Sequence, residues 1–168
     1  MIKTTLLLAL FCLCFLFADK QAISGIKELN KSNQADGIEC LSSVGGVLST
    51  PPFNHVDKKK EIAEAICNSH MTYHVPYQLI VSVIWVESTF KVNAMNGRNQ
   101  GLMQLNTRYH KHRDLRTVKV NIDKGTEFLK QLIDQTGGIT TAVSRFNGGD
   151  GNWKYIAKVN NAYNKFFS

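Results

Sequence analysis

Glu87 has the surroundings that point most directly to chemistry. It closes the run Leu79-Ile80-Val81-Ser82-Val83-Ile84-Trp85-Val86, which is apolar around almost a whole helix circumference. Such a helix belongs inside a core, so a carboxyl at its end emerges into a wall or cleft. Desolvation disfavours the ionised form and raises a carboxyl pKa, and the negative end of the helix dipole pushes the same way. These conditions turn a Glu into a general acid near neutral pH. The plain alternative is an exposed Glu just past a core helix, paired with Lys91 or Arg98. No Asp or Glu occurs between Glu87 and Asp114, so no carboxylate partner lies nearby in the chain. Chemistry that pairs an acid with a carboxylate nucleophile or base needs two. Only Asp114, Asp123 or Asp150 could return to it in space. A one-carboxylate mechanism would need a nucleophile supplied by the substrate itself.

Cysteines and histidines give a second set of reactive groups. Cys67-x-x-His70-x-x-x-His74 places three potential ligands along one helix face. It lacks a clear fourth ligand and a His-Glu-x-x-His core, so the expectation is no metal and two surface histidines. Cys12 and Cys14 lie in the apolar N-terminal run. Cys40 and Cys67 remain as an even pair, able to close one disulfide in an oxidising compartment.

The elements that must hold Glu87 read as helices. Ile62, Ala65 and Ile66 give helical spacing from Glu61 to Tyr73. Pro76 stands where a first-turn proline opens a helix running through Val86. Asn121 is suited to cap a helix carrying Ile122, Gly125, Leu129 and Leu132-Ile133 on one face, stopped by Gly137-Gly138. Ile139, Ala142, Val143 and Phe146 repeat at helical spacing before Gly148-Gly149. Trp153, Ile156, Val159, Tyr163 and Phe166 mark a last amphipathic helix. No alternating strand pattern and no internal repeat emerge. From Asp19 to Asp57 the chain is polar and rich in Ser, Gly and Asn, with Gly45-Gly46 and Pro51-Pro52 and no sustained helical period. That segment reads as a loosely structured lead-in, residues 19–57, ahead of a mainly α body, residues 58–168.

Composition bounds what this body can do. The chain has 168 residues, 43% hydrophobic and 20% charged, enough for one packed domain and inconsistent with pervasive disorder or a fibre. A net charge of +7 favours anionic partners: nucleic acid, acidic lipid or the polymers of a cell wall. Lys3 followed by the apolar stretch Leu6 to Phe17 and then Ala18 has the form of a secretory signal, residues 1–18. It is short for a membrane span. The protein is therefore expected to be exported, periplasmic or secreted, with membrane contact only through that segment. Export argues against nucleic acid as the partner. Lys58-Lys59-Lys60 and the basic cluster from Lys111 to Lys119 suit an anionic wall instead.

Three segments then carry a family likeness. Glu87-Ser88, Gly101-Leu102-Met103-Gln104-Leu105 and Ala142-x-x-x-Phe146-Asn147-Gly148-Gly149 resemble, in order and separation, the motifs of lytic transglycosylases of the soluble-lytic-transglycosylase type. Asn121 to Leu132 resembles that family's Asn-Ile-x-x-Gly-x-x-x-Leu helix. The resemblance spans about residues 60 to 165. Size and the Asn106-Thr107-Arg108-Tyr109 continuation look most like the short members that accompany secretion and conjugation systems. What it implies is a lysozyme-like α fold whose Glu87 cleaves peptidoglycan between N-acetylmuramic acid and N-acetylglucosamine, without cofactor or metal, leaving 1,6-anhydro ends. Ser88, Gly101, Met103, Gln104, Phe146 and Asn147 would be its substrate-binding residues, with components of a secretion or conjugation apparatus as partners. Two departures stand out. Phe146 occupies a position usually held by Tyr, and the segment from Glu87 to Gly101 is about one residue short. A hydrolytic, goose-type lysozyme using Asp114 or Asp150, or a non-catalytic peptidoglycan-binding component, are the alternatives.

Overall fold

The computed structural model describes residues 27–28, 30–111 and 114–168; the stretch expected to be a secretory signal, with Cys12 and Cys14, lies outside them. The chain divides into two compact units, Met1–Asp36 and Gly37–Ser168. In the first, residues 27–28 and 30–36 are helical. The second carries everything discussed below.

This second unit is mainly α. Helix α1 covers residues 37–49, and a 3-10 turn follows at Phe53–His55. Then come α2 (Lys59–Tyr73), α3 (Tyr77–Ser88), three two-residue strands, α4 (Val118–Thr136), α5 (Ile139–Phe146) and α6 (Trp153–Phe167). Strands β1 (Met95–Asn96), β2 (Asn99–Gln100) and β3 (Leu105–Asn106) form a small antiparallel sheet in the order β1-β2-β3, with Met95 opposite Gln100 and Gln100 opposite Leu105. Two-residue strands are too short for an alternating pattern to show in sequence.

Helix α1 departs from the loose lead-in expected over residues 19–57. Cys40, Val44 and Leu48 recur every fourth position and are fully or almost fully buried, joining one core with α2 to α6. Between them stand Gly45-Gly46 and serines, residues of low helix propensity. Packing of one narrow stripe overrides that propensity, as does the bond joining Cys40 to Cys67 on α2. Phe53, also inside the lead-in, is completely buried. Its ring lies 5.3 Å from Trp85, 5.3 Å from Phe90 and 5.1 Å from Phe166, tying this segment to the helix that bears Glu87. The contacts with Trp85 and Phe90 are edge-on, the geometry that aromatic quadrupoles favour, and that with Phe166 is tilted.

Helix α3 is buried on nearly all sides: Leu79 through Ile84 are all inaccessible, including Ser82, whose Oγ donates to Gln78 O at 2.7 Å. A helix so enclosed has no freedom to rotate, and the side chain at its end is aimed by the whole core. Pro76 sits at its N-cap, one position outside the helix. Gly137 ends α4 in the left-handed region, φ 69°, its N–H donating to Ile133 O, as a C-terminal glycine does. In α6 the buried stripe is Tyr155, Val159 and Ala162, while Trp153 is 71% and Tyr163 40% exposed. The apolar face is thus rotated from the Trp153–Tyr163 stripe expected, because α6 turns its hydroxyl-bearing Tyr155 inward. Among the described residues, no helix is long and apolar enough to cross a membrane.

Candidate active site

Glu87 lies in the last turn of α3, half-buried. Thr89 and Phe90, both non-glycine, follow in the left-handed region at φ 51° and 63°. That conformation costs about 1–2 kcal/mol per residue. Complete burial of Phe90 against Phe53 offsets it and turns the chain away directly after the carboxyl.

Three further segments meet Glu87 across a cleft of about 660 Å³. From the sheet side come Asn99, Gln104 and Asn106, then Tyr109 and His110; from α4, Phe128 and Gln131; from the end of α5, Arg145, Phe146, Asn147 and Gly148. Among the described residues, Glu87 is the only carboxyl in that lining. Asp150 is exposed and held by Arg145, and neither Asp114 nor Asp150 faces the cleft.

Gln104 reaches the cleft because its backbone takes φ 47° and its Nε2 donates to Ala94 O at 3.1 Å and Gly101 O at 2.8 Å. Three other residues expected at the substrate are not there. Ser88 is buried, donating from Oγ to Ile84 O at 3.1 Å. Met103 is completely buried, and Gly101 is buried as well. What these last two do is structural, and Asn121 explains it. This residue is no cap: Thr117 holds that position. Asn121 is instead buried in the first turn of α4. Its Oδ1 accepts from Met103 N at 2.7 Å, and its Nδ2 donates to Gln100 O at 2.9 Å and Leu115 O at 2.7 Å. Gly101, at φ +78°, leaves room for that amide: a Cβ there would stand 2.2 Å from Asn121 Nδ2. One turn on, a Cβ on Gly125 would stand 2.9 Å from Met103 Cβ. The Asn-x-x-x-Gly face of α4 is therefore a socket for the Gly101–Leu105 loop, and the socket sets where Gln104 points.

Phe146 lines the cleft, its ring 5.5 Å from that of Phe128. It offers the carboxyl no hydroxyl, but Tyr155 does. Tyr155 Oη donates to Glu87 Oε1 at 2.6 Å, from a buried position in the first turn of α6. A lone Tyr in an amphipathic helix, 68 positions from its partner, carries no spacing signal in the sequence. Asn147 hydrogen-bonds the same carboxyl. Its own Oδ1 accepts from Asn152 Nδ2 at 2.8 Å, which leaves its N–H₂ end for Glu87. Asn152 also caps α6, its Oδ1 accepting from Tyr155 N. Ser144 pins the intervening turn, donating to Gly149 O at 2.6 Å and accepting from Asn152 N at 2.8 Å.

Burial raises the Glu87 pKa above the ordinary carboxyl value; the hydrogen bonds from Tyr155 and Asn147 and the charge of Lys158 pull it down without cancelling that rise. Burial and the neighbouring carboxylate push the Tyr155 phenol far up, so Tyr155 stays a donor throughout the working pH range. Cys67 is committed to its disulfide and His70 Nδ1 to Val75 O, so the Cys67-His70-His74 triplet offers no thiolate to a metal.

One half-buried carboxyl in a cleft walled by amides and aromatic rings, on a mainly helical scaffold, defines a lysozyme-like saccharide-cleft domain. Residues 64–167 match the family described as Transglycosylase SLT domain, and the chain belongs to that family. Its members are lytic transglycosylases, lyases that act on peptidoglycan. Searches of curated proteins and of solved structures returned no match.

Proposed function

We propose that the protein cleaves the β-1,4 bond between N-acetylmuramic acid and N-acetylglucosamine with Glu87 as its one acid and base. Protonated Glu87 gives its proton to the glycosidic oxygen. The C1–O bond breaks and the electron pair leaves with the 4-hydroxyl of N-acetylglucosamine. The muramic acetamido oxygen stabilises C1 in the place of a second carboxylate. The C6 hydroxyl then attacks C1 and returns its proton to Glu87, closing a 1,6-anhydro ring without consuming water.

The observation that carries this reading is the isolation of Glu87 together with its two kinds of neighbour. Burial shifts Glu87 towards the protonated form needed before the first step, and Tyr155 and Asn147 supply the hydrogen bonds that stabilise the carboxylate after it. Gln104 and Asn147 supply polar contacts to the sugars, and Tyr109, 75% exposed on the cleft, a face for ring stacking. Short length, a signal-like N-terminus and the Asn106-Thr107-Arg108-Tyr109 continuation support work in the periplasm or outside the cell, opening the wall locally for a secretion or conjugation apparatus. Digestion of cell-wall sacculi, with product ends identified by mass, tests the chemistry. Anhydro ends are expected. Reducing ends would mean water is the nucleophile, and intact sacculi would mean the domain only binds.

A further inference from the structure

The chain holds two Asn-Gly pairs, Asn96-Gly97 and Asn147-Gly148. Asparagine is a chemically labile residue, and a glycine after it leaves its own nitrogen unshielded, having no Cβ. Once that nitrogen has lost its proton to solvent, it can attack the asparagine Cγ. The N–Cγ bond forms, the bond from Cγ to the side-chain nitrogen breaks, and ammonia leaves with the proton. Water then opens the cyclic imide. Attack at Cγ restores the ordinary backbone as Asp; attack at the main-chain carbonyl leaves isoaspartate, linked onward through Cγ. One water is consumed and one ammonia released, with no oxidant or reductant.

Ring closure needs a free side-chain amide and a free backbone nitrogen, and the fold withholds both at Asn147. Gly148 N donates to Arg145 O at 2.9 Å. Asn147 Oδ1 accepts from Asn152 Nδ2, and its amide is hydrogen-bonded to Glu87. At the tip of the β1–β2 hairpin neither restraint exists. Asn96 and Gly97 are both exposed, and a Cβ on Gly97 would meet nothing within 4 Å. Among the described residues, neither the Asn96 side chain nor Gly97 N has a hydrogen-bond partner. Asn96 also sits where a change of backbone matters. It ends β1 opposite Asn99 on β2, and Asn99 lines the cleft, its Oδ1 accepting from Asn106 Nδ2 at 2.9 Å. Isoaspartate lengthens the main chain by one carbon atom, so the β1–β2 register cannot close as before. We propose that Asn96 is a site of spontaneous deamidation, converted through the imide to Asp and isoaspartate, and that the isoaspartate form displaces Asn99 from the cleft wall. The effect on glycan rests on the reading that peptidoglycan lies in that cleft; the modification itself does not.

Incubation of the folded full chain at mildly alkaline pH, followed by peptide mapping by mass, tests the site without any glycan cleavage. The Asn96 peptide should convert to Asp and isoaspartate, the latter marked by isoaspartyl methyltransferase, while the Asn147 peptide stays intact. In denaturant both should convert at similar rates, because the fold is what distinguishes them. A folded chain that keeps Asn96 intact, or converts Asn147 as fast, would overturn the proposal. In turnover, the isoaspartate form should show a KM for glycan strands raised about fivefold with kcat nearly kept. Asn96→Gln, whose longer side chain closes such a ring slowly, should show no drift in KM over the same incubation. An unchanged KM in the converted protein overturns the displacement of Asn99. Conversion of Asn96 in a protein that cleaves no glycan, fresh or aged, would count against the catalytic reading and leave the modification site assigned.

Discussion

As the proposed acid, Glu87 faces opposed demands, since it has to be protonated before the bond breaks and stable once the proton has gone. Burial favours the first, and the hydrogen bonds from Tyr155 and Asn147 favour the second. In Tyr155→Phe the donor to the ionised form is lost, so the Glu87 pKa rises further. The alkaline limb of the pH–rate profile, where the acid is lost, should move to higher pH. The rate at its optimum should fall about 10- to 100-fold, the worth of a hydrogen bond to a charged group. Glu87→Gln should lower the rate by about two orders of magnitude or more. It should also stabilise the protein at neutral pH. A carboxyl whose folded pKa is raised contributes fully below its unfolded value and loses that contribution as pH climbs through the folded one. Melting curves should coincide near pH 4 and separate above it, with the Gln variant higher; a Gln variant that melts lower at pH 7 would place Glu87 outside the core wall. Glu87 itself was legible from sequence because a long apolar run ends on it. Tyr155 was not, since its partnership exists only after α6 has packed across α3. Asn147 was placed through its motif, but the Asn152 amide that orients it was visible only as a helix start.

At the scale of elements, the helices α2 to α6 were legible because 3.6-residue spacing is a local property. Ile62, Ile66, Ile122, Leu129, Ala142 and Val143 are all buried, where the spacing puts them. Motif residues were harder to sort, because a residue that touches substrate and one that seats the loop beside it occupy the same motif. Met103 and Gln104 are neighbours in the chain, yet one is core and the other lines the cleft. Asn121 decides which. Asn121→Ala would leave Met103 N buried without an acceptor and release Gln100 O and Leu115 O. Loss of these three bonds should cost about 2–4 kcal/mol, read by denaturant melts. Because the socket sets Gln104, kcat/KM should also fall about tenfold or more through displaced substrate contacts. A variant that loses stability but keeps full kcat/KM would show that Gln104 holds its place without the socket.

For the molecule as a whole, the limit of sequence reading was α1. Its stripe is one residue wide, and Gly45-Gly46 falls inside it, so no periodic signal separates it from a loop. Only the packed structure shows that Cys40, Val44 and Leu48 complete a core whose other wall is α2. The disulfide to Cys67 fastens that wall across 27 positions of chain. Closing a loop of this length removes unfolded-state freedom worth on the order of 3 kcal/mol. Reduction, or the double variant Cys40→Ser, Cys67→Ser, should therefore lower the melting temperature by roughly 6–12 °C for a domain of this size. Neither cysteine touches the cleft, and the groups that set Glu87 come from α5, α6 and the turn between them. The kcat/KM of the reduced protein, measured well below its lowered melting point, should consequently stay within about twofold of the oxidised value. Loss of activity without loss of stability would instead mean that the disulfide-fastened segment, through Phe53 after α1 and its contact with Trp85, sets the position of the helix that bears Glu87.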